Sequence, residues 1–586
     1  MNPLRIVQFR NIPEDPKLRI EWNALARSVD HPQVFYTYEW ALAVHRAYEA
    51  TLPSMLFLAY DQQEVLRGVA ALALDKKSGW ISFLCATTGD YCDFLSAKED
   101  RSAFVLGVLA ELRKEGFDRA TLTNLPADST TVGALREACA ASHYHFFART
   151  AYECAQVVLD ALPRQEGKAV MPRVRKWRRA VNTLGRDAPV RVEHVQSFDE
   201  AAAILPQFAL THTGRFLATG RIGNLAHTER RHFLEELAKL LGEAGWLRLS
   251  VVLKGKRIVA WNYGFQFEDT WFWYQPTFDT ELEKYSPGFC LLGKIIEEAA
   301  ATPHIKIVDF GLGAEEYKEA LANQTRETLC VTLRNSRIEH SRDALRYGTA
   351  HLVKRSPKVE KGIRRFLERV RQIRERLDRD GAFAASKRWL GNFLWSDTEV
   401  LFFEPTDAEP EARRATLKPL DLNDLALGVE RYVDDRQACT YFLRCAKRLR
   451  EAACEGYALV DASGQYVHFA WVTTFEKFFL AELNAATEAP SDNCVMLFDC
   501  WTPMSQRGRG HYGYAAAGIA KMMRERGKNP WIFSAASNAP SVRGLEKAGF
   551  QRRYSLVRKR RFGWQWVAGE VPKIDQKKIA EVPAQV

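Results

Sequence analysis

The chain has 586 residues, more than one ordinary hydrophobic core organises, so we expect two to four domains. Hydrophobic residues make up 47% and charged residues 26%, which excludes a disordered, collagen-like or coiled-coil chain. The formal net charge of +11 favours an acidic partner: nucleic acid, an anionic membrane or a phosphorylated small molecule.

Neither a signal peptide nor a membrane span is predicted. The first residues lack a long apolar core, and no run of about 18 apolar residues occurs in the chain. The eleven cysteines are odd in number and form no Cys-x-x-Cys pair, so neither a disulfide framework nor a zinc site is favoured. We expect reduced thiols, no metal and a cytoplasmic location.

The first predicted elements alternate between helices and strands. An aromatic amphipathic helix is predicted over 35–48 and a second helix over 104–115. Residues 55–60 and 65–74 are typical of a β-hairpin, and 119–123 of a further short strand. This mixture predicts an α+β (mixed α/β) fold class.

The next part begins with a basic helix and continues as helices, an antiparallel meander and a crossover. The basic helix covers 172–186 and is closed by Gly185, and Ser286-Pro287-Gly288 breaks the chain before the last helix. The other predictions are helices over 198–216, 227–244 and 289–300, and strands over 246–253, 257–267, 270–275 and 306–310.

A basic segment then separates two α/β parts of the chain. Residues 341–391 hold 15 Lys or Arg against 6 Asp or Glu, a local net charge of +9 that leaves only +2 elsewhere. Its core, 359–377, has an apolar stripe at helical spacing and is predicted as a linker helix. The last part is predicted to contain helices over 434–453, 510–525 and 539–548, and strands over 457–461, 466–473, 493–501, 531–535 and 554–557.

The loop Gln506-Arg507-Gly508-Arg509-Gly510 follows an apolar strand and opens a helix. Glycines let the backbone approach a ligand, a helix start presents free N–H groups, and the arginines add charge, so this loop predicts a pyrophosphate site. With Asn538 and the closing Gly549-Phe550, it resembles the GCN5-related N-acetyltransferase (GNAT) superfamily. The resemblance implies that Arg507, Gly508, Arg509, Gly510 and Asn538 bind the cofactor.

Two positions depart from the superfamily pattern. Tyr512 stands where the last loop glycine or alanine is usual. Leu545 stands where many members carry the tyrosine that protonates the departing thiolate. If this domain is catalytic, another group serves as the acid, or the thiolate leaves without one.

The middle of the chain resembles a bacterial acetyltransferase group associated with cellulose and exopolysaccharide synthesis, related to the Fem-type aminoacyl transferases. The resemblance covers about residues 20–340, and Phe216 stands where tryptophan is more usual. Its motifs are Thr211-His212-x-x-Arg215-Phe216, Tyr285-Ser286-Pro287-Gly288 and Asp309-Phe310-Gly311-x-Gly313-x-x-Glu316-Tyr317-Lys318.

The two resemblances imply tandem GNAT-like lobes, each a mostly antiparallel twisted sheet flanked by helices, joined by a basic helical linker. They imply acetyl-CoA or another acyl-CoA as co-substrate, with Ser286 and Gly288 on the cofactor and Arg215, Tyr317 and Lys318 on the substrate. The predicted organisation is a lobe over 1–170, a second lobe over 171–340, the linker over 341–393, a C-terminal GNAT-like domain over 394–570 and a polar tail over 571–586.

Three residues are candidates for catalysis, each with a structural alternative. His212 is either a base near neutral pH or a helical histidine held by a partner. Asp309 orients the substrate or caps the glycine turn that follows it. Asp499 lies in an apolar strand, where burial would make its carboxylate more basic, unless its side chain faces the edge. Tyr317 and Lys318 bind an anion or begin a solvated helix.

Three classes of function remain. The first is an acyltransferase that acts on an amine or hydroxyl of a cell-envelope or exopolysaccharide precursor, small or lipid-linked, by direct attack in a ternary complex. The second is an accessory protein of polysaccharide synthesis with degenerate lobes, held at an anionic membrane through 341–391. Nucleic-acid binding is suggested by charge alone, without a motif or interleaved aromatic residues, so no nucleic-acid partner is expected.

Overall fold

The computed structural model describes residues 4–165, 168–171, 173–313, 315–354, 395–406, 415–452 and 454–572. The chain divides into two compact units, Met1–Arg215 with Gly223–Arg355 and Phe216–Ile222 with Ser356–Val586. The predicted linker lies outside the described residues beyond Lys354, and so does the predicted tail from residue 573. The domain boundaries stay predictions.

The first unit holds two successive copies of one element order. Asp15 and Thr37 cap two of its helices through side-chain oxygens, and Gly185 closes another. The first copy and the segment after it comprise β1 (Arg5–Phe9), α1 (Pro16–Ser28), α2 (Tyr38–Tyr48), β2 (Ser54–Tyr60), β3 (Leu66–Asp75), β4 (Trp80–Phe83), β5 (Leu95–Ser96), α3 (Arg101–Lys114), β6 (Arg119–Pro126), α4 (Thr131–Ala141), β7 (His145–Val158), β8 (Arg164–Gln165), β9 (Lys168–Ala169) and α5 (Val174–Leu184).

The second copy repeats that order: a strand, two helices, three strands, a helix, a strand, a helix and a strand. Its elements, with the helix after them, are β10 (Val190–Val195), α6 (Phe198–Ala218), α7 (Thr228–Glu243), β11 (Leu247–Lys254), β12 (Arg257–Phe267), β13 (Thr270–Phe278), α8 (Pro287–Ala301), β14 (Ile307–Leu312), α9 (Glu316–Glu319), β15 (Gln324–Arg334) and α10 (Arg337–Lys354). The predicted α+β fold class is confirmed.

The strands of the two copies form one continuous sheet, in which each copy lends its last strand to the other. The order is β1-β2-β3-β4-β6-β15-β7-β14-β13-β12-β11-β10, with β5 on β3. β15 pairs with β6 of the first copy, and β7 pairs with β14 of the second. The seam between the copies is the antiparallel pair β15–β7, whose register runs from Gln324↔Gln156 to Arg334↔His145. Because the last strands are exchanged, neither predicted lobe has a sheet of its own.

The second unit holds a third copy of the element order. The elements are β16 (Trp395–Pro405), β17 (Ala415–Pro419), α11 (Leu422–Arg431), α12 (Arg436–Glu451), β18 (Glu455–Asp461), β19 (Tyr466–Thr474), β20 (Lys477–Leu480), β21 (Ala485–Glu488), β22 (Cys494–Trp501), α13 (His511–Glu525), β23 (Asn529–Ala535), α14 (Ala539–Lys547), β24 (Phe550–Arg561) and β25 (Trp564–Ala568). The sheet order is β17-β18-β19-β22-β23-β16-β24-β25. In this sheet β16 lies between β23 and β24, the place that the strand from the other copy takes in the first unit.

Helix α5, the predicted basic helix, is attached to α8 by a close contact. Trp177 of α5 is buried, and its indole Nε1 donates to the carbonyl of Cys290 at 3.1 Å. A Cβ atom on Gly293 of α8 would lie 2.1 Å from Cδ1 of Trp177, so only glycine admits the indole. Trp177 therefore anchors α5 to α8, and Leu184 is the other buried side chain of α5.

We expect Gly293→Ala to lower the free energy of unfolding of the first unit by about 1–3 kcal/mol, as overpacking of a buried contact does. Denaturant unfolding of the full chain measures it. Gly133→Ala in α4 is the matched control, since a Cβ there would meet no atom within 4 Å. Equal stability of the two variants would contradict the contact.

Among the helices of the described ranges, none is both long and apolar enough to cross a membrane.

Candidate active site

Each copy contains one parallel pair of neighbouring strands that separates partway along its length. In the first copy β4 and β6 pair only at Ile81↔Ala120 and Ser82↔Thr121. In the second, β13 and β14 separate after Phe272↔Asp309, and in the third, β22 and β23 separate after Leu497↔Ile532. We call these the N-terminal, middle and C-terminal splits. A split exposes backbone N–H and C=O groups that no neighbouring strand of the pair satisfies, so it can bind a polar ligand.

The N-terminal split is filled by its own chain. Asn124 of β6 has a φ of +61° and is buried, and its side-chain amide donates to the carbonyl of Gly89 at 2.8 Å. The backbone N–H of Cys92 donates to the carbonyl of Asn124 at 2.9 Å. These bonds use the polar groups that a ligand would need, so we assign no binding site to this split.

Asp309 lies at the point where the middle split opens. Its Oδ2 accepts hydrogen bonds from the Tyr91 hydroxyl (2.9 Å) and the Gln156 side-chain amide (2.7 Å), and its Oδ1 accepts from the Gly311 N–H (2.7 Å). Burial raises the pKa of this carboxyl, which is 1% exposed. Both oxygens are occupied, so the expectation that Asp309 orients the substrate directly is corrected: it holds the Gly311 turn.

Asp90 faces that turn from the first copy, and the sequence patterns did not single it out. A Cβ atom on Gly311 would lie 2.3 Å from its Oδ2, which shows how closely the carboxylate approaches the β14 backbone. The residue as a whole is partly exposed. Burial of the carboxyl group and the neighbouring Asp309 charge raise the pKa of Asp90 to about 7, while Lys318 and Arg230 oppose the rise. A carboxylate with this pKa can accept a proton near neutral pH.

A hydrogen-bond network connects β13 to the helices that cover it. Arg230 of α7 donates to the Tyr274 hydroxyl (2.6 Å) and to Oε1 of Gln275 (3.1 Å). The Tyr274 hydroxyl donates to the carbonyl of Thr88, two residues before Asp90. The network therefore holds the Asp90 loop against the middle split.

His212 belongs to the same network and is not a base near neutral pH. It is buried, and its Nε2 lies 3.1 Å from Nε2 of Gln275. Burial, followed by the charges of Arg215 and Arg230, lowers the pKa of His212 to about 3. The expected general base is thus corrected to a neutral, held histidine, the structural alternative given above.

The remaining predicted residues of the second copy lie around the middle split. The Tyr317 hydroxyl accepts from Trp273 Nε1 at 3.3 Å. The buried ammonium of Lys318 donates to the Leu312 carbonyl (3.0 Å) and pairs with Glu315 (2.7 Å), so a solvated helix start is excluded for Lys318. Lys318 therefore fixes the loop after β14, and its predicted substrate contact stays a prediction.

The first turn of α8 lies at one end of the middle split. Ser286 precedes the helix with a φ of +53°, and in the described residues no side chain caps its N–H groups. A Cβ atom on Gly288 would lie 3.3 Å from the Phe278 ring. Arg215 lies over the same ring at 4.6 Å and donates to the Pro276 carbonyl. Cofactor binding by Ser286 and Gly288 fits this place and stays a prediction.

At the C-terminal split, Asp499 sits in a β-bulge of β22. Its φ is +46°, and the pairing with β19 skips from Phe498 to Trp501. The carboxylate forms ion pairs with Arg444 and Arg448 of α12. Asp499 is thus neither fully buried nor unpaired, which corrects the premise on which its role as a base was predicted.

The loop Arg507–Gly510 lies exposed beyond this bulge, at the start of α13. Gly508 and Gly510 have φ values of +79° and +76°, and a Cβ on Gly508 would meet no atom within 4 Å. Arg507 Nε donates to the Thr502 carbonyl at 3.1 Å. Asn538 instead caps α14, because its Oδ1 accepts from the Ser541 N–H. The loop is therefore accessible to a ligand, whereas the side-chain oxygen of Asn538 is already hydrogen-bonded at the start of α14.

The comparisons with known proteins give a family match for part of the chain. Residues 172–319 match the family model of the acetyltransferase (GNAT) domain. No curated protein matches the sequence.

The solved structures found by the comparison share little sequence with this chain. The C-terminal domain of a putative lysylphosphatidylglycerol synthetase from Agrobacterium fabrum is 12% identical, over 56% of this chain and 94% of that chain, with a TM-score of 0.38. FemX is 10% identical, over 53% and 95%, with a TM-score of 0.38. A tandem GNAT protein from the clavulanic acid biosynthesis pathway is 12% identical, over 57% and 99%, with a TM-score of 0.35. The match to the family model bears out the resemblance to the GNAT superfamily over residues 172–319, which are similar to an acetyltransferase domain of that superfamily.

Proposed function

We propose that the protein is an acyltransferase that moves an acetyl or other acyl group from acyl-CoA to an amine or hydroxyl of a cell-envelope or exopolysaccharide precursor. The observation that supports this most is the composition of the middle split. A strand pair that separates after Phe272↔Asp309, a helix start without a side-chain cap and a carboxylate with a pKa of about 7 occur together there. Acyl transfer to an amine needs a bound thioester, backbone donors at its carbonyl and a base, and these three features can supply them.

The residues present fit a CoA thioester at two places. The helix starts at Ser286–Gly288 and Arg507–Gly510 each follow a split and have a left-handed residue before the first turn. Such starts bind phosphate through backbone N–H groups. An acyl-CoA bound there would supply the acyl group as an activated thioester.

The chain's own residues would then move the proton. Asp90 would accept the proton of the attacking ammonium or hydroxyl group, because its carboxylate is half ionised near pH 7. Asp309 would hold Gly311, and Lys318 would hold the loop after β14. These contacts would keep the Asp90 carboxylate in its position beside the split. The C-terminal split has an ion-paired Asp499 and a buried Leu545 instead, so we propose that it binds a nucleotide cofactor without carrying the proton transfer.

The acceptor class follows from the motifs rather than from the geometry. The motifs at 285–288 and 309–318 resemble those of exopolysaccharide-associated acetyltransferases, and we propose a sugar amine or hydroxyl, free or lipid-linked, as acceptor. A cytoplasmic location, with the basic segment 341–391 at an anionic membrane, completes the proposal.

We expect the full chain to bind two molecules of acetyl-CoA in isothermal titration calorimetry. Gly288→Trp and Arg507→Ala should each reduce the stoichiometry to one, because a bulky side chain closes the α8 start and the loss of a guanidinium weakens the α13 start. Ile20→Ser, an exposed change far along the sequence from both loops, is the control. Absence of acetyl-CoA binding to the unmodified chain would refute the proposed function.

A further inference from the structure

The hairpin that ends the second sheet carries large aromatic side chains on one face. Trp395 of β16 lies opposite Arg561 of β24, which lies opposite Trp564 of β25. Trp566 follows two residues later, opposite Lys559. Directly opposed residues share a face of a sheet, so the three tryptophans and the two cations project from the same side. We call this surface, with Phe562 at the turn, the aromatic hairpin.

These side chains are unusually exposed for their size. The exposed fraction is 82% for Trp564, 68% for Phe562, 67% for Trp395 and 49% for Trp566. Single exposed apolar residues are ordinary, but four aromatic side chains on one three-stranded edge form a contiguous patch. Such a patch marks an interaction surface.

The turn of the hairpin is strained for the residue that it carries. Phe562 and Gly563 have φ values of +48° and +86°. A turn with two left-handed central residues favours Asn or Asp before Gly, and a phenylalanine there costs free energy. Since the ring is exposed, packing does not offset that cost. Strain of this kind at an exposed side chain indicates a function outside the fold itself.

The hairpin also carries uncompensated positive charge. Arg552 and Arg553 pair with Glu399 and Glu404, and Arg561 pairs with Asp397. Three further cations have no carboxylate partner within the part of the chain that the structure describes: Arg558, Lys559 and Arg560. By alternation along β24, Lys559 lies on the face of the tryptophans, and Arg558 and Arg560 lie on the opposite face. The hairpin as a whole therefore carries a net charge of about +3 beside its aromatic side chains, counting each guanidinium and ammonium as one charge.

We propose that the aromatic hairpin docks onto the surface of an anionic phospholipid bilayer. Tryptophan prefers the headgroup region, where its apolar ring and its polar N–H group are both accommodated. Phenylalanine adds apolar area to such a contact, and arginine and lysine are attracted by anionic lipid. A neutral polysaccharide would also stack on tryptophan, but it offers nothing to the three cations. The proposal does not depend on acyl transfer, and it differs from attachment through 341–391, because it places the contact in the folded second unit.

Co-sedimentation of the full chain with vesicles tests the proposal. We expect binding to vesicles of equal parts phosphatidylcholine and phosphatidylglycerol, weak binding to phosphatidylcholine alone, and a fall of the partition coefficient with salt. The triple variant Phe562→Asn, Trp564→Ser, Trp566→Ser should bind at least tenfold more weakly. Its melting temperature should not fall, since the three side chains are exposed and Asn suits the turn.

The controls separate the other sources of binding. Ile20→Ser removes an exposed apolar side chain from the first unit and should leave vesicle binding unchanged. The triple variant keeps 341–391, so undiminished binding by it would overturn the proposal in favour of that segment. The proposal would also be overturned if the unmodified chain ignored vesicles but was retarded by hydroxyethyl cellulose in affinity electrophoresis, and the triple variant was not.

Discussion

Replacing Asp90 with asparagine is expected to lower the rate of acyl transfer by about 10²- to 10⁴-fold, the usual contribution of a positioned general base. Asparagine keeps the shape of the side chain beside Gly311 but cannot accept a proton. The measurement is release of the CoA thiol from acetyl-CoA with D-glucosamine as the amine probe. Binding of acetyl-CoA should not change, because Asp90 faces the turn after β14 and not the helix start at Ser286.

The pH dependence gives a second readout of the same residue. The charged groups that face Asp90 are Asp309, which raises its pKa, and Lys318 and Arg230, which lower it. Because the ionised form is the base, kcat/KM of the unmodified enzyme should fall tenfold per unit as the pH drops below about 7. The residual rate of Asp90→Asn should not show this fall at low pH. The same slope in the variant would show that another group is the base.

Stability provides the control for this variant. The pKa of Asp90 is near 7 in the folded chain and 3.8 without the fold, so the folded state holds the proton more tightly. Folding stability is therefore lost as the pH rises from about 4 to 7, and asparagine, which cannot ionise, avoids this loss. Asp90→Asn should unfold at an equal or higher temperature than the unmodified chain at pH 8. A lower melting temperature would indicate damage to the fold instead.

Local sequence patterns were sufficient for most of the elements. Helical spacing placed α6, α7 and α8 within a few residues of their observed ends, and the strands predicted over 246–253 and 257–267 match β11 and β12. Helices α1 and α4 and the long strand β7 were not predicted. β7 is half exposed along much of its length and is defined by its pairing with β15, almost 180 residues later. No local periodicity in the sequence predicts a pairing between strands so far apart in the chain.

The motifs of the sequence grouped residues around the candidate site, but did not predict the chemistry proposed there. His212, Asp309, Tyr317 and Lys318 all lie around the middle split, as their grouping in two motifs suggested. The low pKa of His212 depends on burial and on Arg230, which comes from another helix. Asp90 comes from the first copy, more than 200 residues before β14. A Gly-Asp pair after a short strand was the one local sign of it.

Replacing Gly311 with alanine is expected to reduce acyl transfer nearly as much as Asp90→Asn does, although residue 311 has no chemistry of its own. The new Cβ would lie 2.3 Å from the Asp90 carboxylate, which must therefore move away from the split. The φ of +67° adds about 1–3 kcal/mol of backbone strain for any residue with a side chain. Thiol release and the melting temperature measure the two effects separately.

Gly245→Ala separates strain from displacement, because residue 245 has a φ of +76° and a Cβ there would meet no atom within 4 Å. It should cost similar stability and leave the rate unchanged. The combination of Gly311→Ala with Asp90→Asn gives the decisive comparison. If the alanine acts by displacing the carboxylate, it should lower the rate of the asparagine variant little further, since effects that act through one residue are not additive. A full additional loss would show that Gly311 itself is needed at the split, and that the Asp90 carboxylate is not what it positions.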